Sequence, residues 1–162
     1  MKPADLLAVL REFHREKLSC RQRHAAVARQ VGSYSFNNTY QYVIAREDVH
    51  VAWLEAAIAE LGGTPDQVHE PALPPPGTKK DAFLPLVQED ARAADEFVAR
   101  WRTPAGELTH ARNRRMLAVI LGETLEHKRF FDQMLAGRDD LLGRRMEGAG
   151  TGDGVLGVRW IG

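Results

Sequence analysis

Arg46-Glu47-Asp48-Val49-His50 and Glu123-Thr124-Leu125-Glu126-His127 are two clusters of acids and histidine, each set inside a long stretch of helix-type apolar spacing. A carboxylate on the core-facing side of a helix is costly unless it is paired or bound to a metal. Two such clusters in one short chain predict a shared interior site.

Working outward from the first cluster, Val43, Ile44, Glu47, Val51, Leu54, Ile58 and Leu61 share one stripe. They predict a helix over about residues 38 to 61, stopped by Gly62-Gly63-Thr64-Pro65. Upstream, Leu6, Val9, Leu10, Phe13, Cys20, Val27 and Val31 give the three-and-four spacing of a first helix over about 3 to 31. Pro3 suits its first turn and Gly32 its C-cap. Between the two helices, Ser33 to Thr39 reads as a polar turn with Asn37 and Asn38 available as caps.

Around the second cluster, Met116, Ile120, Glu123, His127, Phe130 and Met134 form the stripe of a fourth helix. Thr103-Pro104 would open it and Gly137 would stop it, near residue 136. A third helix runs from about 81 or 85 to 102, with Pro85 opening or kinking it, and presents Phe83, Val87, Asp90, Ala94, Phe97 and Trp101. The Pro-rich stretch 62 to 79 is too long for an ordinary loop. Polyproline geometry advances about 3.1 Å per residue, so this stretch can run back along the ~36 Å of a neighbouring helix. The second and third helices would then be parallel.

The 162 residues suffice for a single core without staples, and the lone Cys20 rules out an intramolecular disulfide and a cysteine-based zinc site. Met1-Lys2-Pro3-Ala4-Asp5 lacks the apolar run of a signal peptide, and no later run suits a membrane span, so a cytoplasmic protein is expected. Basic and acidic residues balance at 22 each, which favours neither nucleic acid nor an anionic membrane as partner. Gly148 to Gly154 reads as a flexible linker and Val155 to Gly162 as a small apolar peptide, so the domain is placed at 1–147 with a tail at 148–162. Asp139 to Glu147 could add a short amphipathic turn. No strand-type alternation is long enough to build a sheet, and the fold class is all-α.

Each stripe is interrupted near its middle by groups able to bind a metal. The first helix offers Glu16, with Glu12, His14 and His24 as alternatives; the second offers Glu47 and His50. The third offers Asp90 beside Glu89, and the fourth Glu123 with Glu126 and His127. Residues three or four apart share a helix face, so Glu47 with His50, and Glu123 with Glu126 or His127, can each converge. Four or five carboxylates in a low dielectric would repel one another without cations between them.

With its four long helices, its long middle crossover, Glu47-x-x-His50 and Glu123, the chain resembles the ferritin-like superfamily of ferritins, bacterioferritins and rubrerythrins over about residues 3 to 136. The segment His50-x-x-x-Leu54-x-x-x-Ile58-x-x-Leu61-Gly62-Gly63 is especially similar. The resemblance implies a four-helix bundle holding two iron or manganese ions, with ferroxidase or peroxidase-type chemistry. It makes Glu47 and Glu123 bridging carboxylates, His50 a terminal ligand and Glu16 the terminal carboxylate of the first helix. Two departures stand out. Glu126 occupies the position three after Glu123 where histidine is usual, so Glu126 ligates or His127 substitutes. Asp90 stands where the third helix usually carries glutamate.

The simpler reading is a ferritin-like structural or interaction protein whose site has decayed and whose acids pair with arginines, which are abundant here. Under it Asp90 and Glu126 would bridge to Arg46, Arg92 or Arg129, and Glu16 would be a solvated ion pair. His24 and His110 are read as surface or end-cap residues, Cys20 as a small buried hydrophobe, and Tyr34, Tyr40 and Tyr42 as packed rings with wet hydroxyls. A three-histidine, one-metal bundle of thiol-transferase type would need histidine where Phe131 stands. A homodimer is the expected assembly. Leu156-Gly157-Val158 is similar to the short tails that load ferritin-like cargo into encapsulin shells, and packing of the tail on its own bundle or a neighbour is the competing expectation.

Overall fold

The computed structural model describes residues 1–75, 77–138 and 141–142. These contain four helices: α1 (Pro3–Ala28), α2 (Tyr34–Glu60), α3 (Leu84–Gly106) and α4 (Ala111–Leu135). The predicted linker and terminal peptide, and with them the encapsulin-tail reading, lie outside the described residues, as does most of 139–147. None of the described helices is long and apolar enough to cross a membrane.

Local chemistry sets the helix ends. Pro3 and Pro85 sit in the first turns of α1 and α3, where a missing N–H costs nothing. The turn predicted at 33–39 is instead the start of α2, because the Ser33 hydroxyl caps it by accepting from the Phe36 N–H at 3.3 Å. Asn37 serves the preceding helix, donating to the Ala28 carbonyl at 2.7 Å. Pro104 does not open α4 but lies in the last turn of α3. There it forfeits one bond, to the carbonyl of exposed Arg100, which water can satisfy. α4 starts after His110, whose ring accepts from the Asn113 N–H, so His110 is an end-cap as expected.

The helices pack as two antiparallel hairpins, α1 with α2 and α3 with α4, and α1 also meets α3 while α2 meets α4. One apolar cluster joins Leu10 and Phe13 of α1, Leu54 and Ile58 of α2, Phe97 and Trp101 of α3, and Leu117 and Ile120 of α4. The other joins Val27, Tyr40, Val43, Val87, Ala91, Phe131 and Met134 from the opposite helix ends. This arrangement makes α3 parallel to α2, as the long connection predicts. The crossover is strapped along α1: Arg11 holds Asp66 at 2.8 Å, and Gln22 donates to the Val68 carbonyl at 2.7 Å. Further on, Arg29 pairs with Glu70, and Gln30 donates to the Pro74 carbonyl at 3.1 Å. Between the two apolar clusters lies a buried layer of polar side chains.

Gly62 closes α2 with φ 78°, and the bonds Gly62 N–H to Ala59 O and Gly63 N–H to Ile58 O complete a Schellman turn. A Cβ at Gly62 would meet nothing within 4 Å, so its cost is purely conformational. Gly62→Ala should lower the unfolding free energy by roughly 1 kcal/mol in urea titration. Gly32→Ala, at an equally open position without a positive φ, should be neutral or mildly stabilising.

Candidate functional site

The polar layer is built around Lys17. Along α1 the inward positions Leu6, Leu10, Phe13, Lys17, His24 and Val27 advance in steps of three, four or seven, so Lys17 occupies a core position and is 1% exposed. Its ammonium lies 3.2 Å from the Glu47 carboxylate on α2 and donates to the Thr124 hydroxyl on α4 at 3.0 Å. It also sits 5.6 Å from the ring centre of Phe97 on α3. Thr124 in turn donates to the Ile120 carbonyl at 2.8 Å, so both sides of that hydroxyl are satisfied.

The layer continues across the bundle. Glu47 and Asp90 are both fully buried. Glu47 meets His24 Nδ1 at 2.5 Å, and His24 Nε2 lies 3.9 Å from Asp90. Asp90 accepts from Arg23 at 2.7 Å and from the Tyr40 hydroxyl at 2.6 Å. On the α2–α4 flank, Arg46 grips Glu123 through two bonds of 2.7 and 3.0 Å, and His50 Nε2 lies 3.2 Å from the same carboxylate. The His50 and His127 rings stack with centroids 6.2 Å apart and planes at 22°.

Electrostatics follows from these contacts. Burial alone would raise the Glu47 carboxyl, but the charges of His24 and Lys17 outweigh it and hold the group well below the usual carboxylate range. Burial likewise opposes the charge on Glu123, and the bonds from His50 and Arg46 overcome it, leaving the carboxyl at about 2. His24 is pulled above its ordinary value, since Glu47 outweighs the burial that would lower it. His127 has no such partner, and burial pushes it down to about 3. Burial raises the Cys20 thiol to about 12, so it stays protonated, although the residue is half-buried and not fully buried as expected.

The structure brings together some of the residues singled out in the sequence and separates others. Glu47, His50, Asp90 and His127 lie buried in or beside the layer. Glu16 points to the flank, where Arg100 holds it at 3.0 Å, and Glu12 pairs with the same arginine. Glu123 is on the Arg46 side of the bundle, and Glu126 is half-buried one residue before His127. Glu89 is tied to Arg92 at the surface, and His14 is buried with Nε2 3.6 Å from Glu55. Two members of the layer went unread, Lys17 and Thr124, while His24 was only an alternative ligand of the first helix. His24 is not a surface or capping residue, and the Tyr40 hydroxyl is not wet but bonded to Asp90. Counting four on from Phe13, or three back from His127, would have found Lys17 and Thr124.

A two-cation carboxylate centre does not fit this donor set. Of the two fully buried acids, Asp90 is held by Arg23 and Tyr40, and Glu47 by His24 and Lys17. Among the described residues, no group of three or more His, Cys, Asp and Glu side chains is placed to hold a metal ion. A dication about 4 Å from an ammonium would be repelled by roughly 8 kcal/mol at an effective dielectric near 20.

Among solved structures the chain is similar to a mycobacterial bacterioferritin, with a TM-score of 0.54 and 19% identity over 86% of this chain and 88% of that one. At that identity the likeness gives the fold: this is a ferritin-like four-helix bundle. No family model matches the sequence, and no curated protein is significantly similar to it.

Two measurements probe the layer. Lys17→Ala leaves the Glu47 carboxylate without its ammonium and should cost about 3–5 kcal/mol, whereas Lys17→Met with Glu47→Leu should recover most of that loss in urea titration. His127 has a folded pKa below its ordinary 6.5, so it contributes stability that is complete above pH 6.5 and lost as pH falls toward about 3. The protein should therefore weaken over that window, and His127→Leu should flatten the decline; an unchanged slope would remove His127 from the account.

Proposed function

We propose that this ferritin-like chain works without a two-cation centre, as a structural or interaction protein whose mid-plane acids are neutralised from within. The observation that carries this reading is the buried Lys17 ammonium between the Glu47 carboxylate and the Thr124 hydroxyl. Arg23 against Asp90 and Arg46 against Glu123 support it, because both of these acids already have a protein cation. Association as a homodimer belongs to the same reading. A cytoplasmic location belongs to it as well.

The rival reading is the one the family resemblance implies, in which iron or manganese is bound for iron oxidation or oxidant removal. One observation favours a reduced, single-cation form of it. Both ring nitrogens of His127 are buried without a hydrogen-bond partner among the described residues, near His50 and Glu47.

Elemental analysis of protein purified without chelator, repeated after aerobic loading with Fe(II) and with Mn(II), separates the readings. Only trace metal is expected in every preparation. About one ion per chain, lost on His127→Ala, would establish the single-cation form. About two, lost on Glu47→Ala or Glu123→Ala, would overturn the proposal.

A further inference from the structure

The α2 segment Glu47-x-x-His50 and the α4 segment Thr124-x-x-His127 face each other across the mid-plane. Their histidines stack ring against ring at 6.2 Å, and their other members, Glu47 and Thr124, are both in reach of one Lys17 Nζ at 3.2 and 3.0 Å. The two segments thus present equivalent positions, one filled by a carboxylate and the other by a neutral hydroxyl. We infer that Lys17 is the resident cation of this bundle, and that Lys17 and Thr124 together are the residues that set its specificity against divalent metal.

The inference rests on the metal-independent reading and adds the residues responsible for it. An ammonium satisfies one carboxylate and one hydroxyl, which is the partner set Glu47 and Thr124 supply. A divalent ion of the first transition row needs several anionic or imidazole donors converging on it. Glu47, His50 and His127 provide part of such a set, and Lys17 repels whatever they would attract. Its ammonium lies 5.6 Å from the Phe97 ring centre and the residue is 1% exposed, so it cannot withdraw into water to make room. Glutamate at position 17 reverses the charge at the centre, and glutamate at 124 gives α4 the same Glu-x-x-His that α2 already has. Three carboxylates and two imidazoles would then face the space the ammonium now fills, with His24 still on the far oxygen of Glu47.

The test compares the wild type with Lys17→Glu/Thr124→Glu, using Co(II) alone as the probe and reading both visible absorption and thermal unfolding. The wild type should show no bound-Co(II) spectrum and no shift in Tm. The double variant should bind Co(II) and gain roughly 5–10 °C in Tm at about a hundredfold excess over Kd. Should its carboxylates prevent folding without metal, Co(II)-dependent recovery of helical circular dichroism supports the inference equally. Lys17→Met is the milder variant: it removes the ammonium, leaves Glu47, His50 and His127, and should show a smaller Co(II)-dependent rise in Tm. If neither variant responds to Co(II) while the wild type also binds none, the inference fails and the metal-independent reading stands. Should the wild type bind Co(II) and lose it on His50→Ala, both fall.

Discussion

A charge buried in the middle of a helical bundle has to be answered by groups from the other helices, and the Lys17–Glu47 pair imposes that demand here. The ammonium touches residues of α2, α3 and α4, so all three must be in register with α1 for it to be satisfied. From it a chain of contacts runs through His24 to Asp90, Arg23 and Tyr40. Apolar clusters above and below could slide by a helical turn at modest cost. A buried ion pair cannot, because a slipped register leaves one charge alone in a low dielectric. Polar layers of this kind trade stability for a single arrangement of the helices.

The same layer accounts for the distance between fold and chemistry. A ferritin-like backbone brings four helix mid-points together, and what is placed there decides whether the interior gathers cations or repels them. In this chain Glu47, His50 and His127 supply an anionic or imidazole donor, while Lys17 on α1 and Thr124 on α4 do not. Asp90 is a carboxylate in the interior, yet two donors on α1 and α2 already claim it. The presence of acids and histidines in the core is therefore a weak guide to metal binding until the cations beside them are counted.

Much of the fold was legible in the sequence. Apolar spacing gave four helices, the Pro-rich stretch gave the parallel crossover, and Gly62 and Gly137 marked helix stops where positive φ is adopted. Helix starts were harder, since a polar segment such as 34–39 reads as a turn until Ser33 is recognised as its cap. The site was legible only in part. Reading for ligands drew attention to acids and passed over Lys17, whose charge disguised a core position that its spacing from Phe13 discloses. On α4 the choice of Glu123 over Thr124 shifted the helical phase by one residue, and about 100° of rotation separates the Arg46 flank from the interior. Arginine pairing was foreseen as a class, but Arg23 for Asp90 depends on a contact between helices far apart in sequence.

The strapped crossover also bears on the order of assembly. It leaves α1–α2 and α3–α4 as two local hairpins with short turns, each able to form before the long connection is ordered. Glu47 finds both Lys17 and His24 within its own hairpin, whereas Asp90 depends on Arg23 and Tyr40 from the other. The first hairpin thus contains both counter-charges of its own acid. The second carries an acid whose partners lie on the first, so Asp90 can be buried at low cost only in the correctly joined bundle.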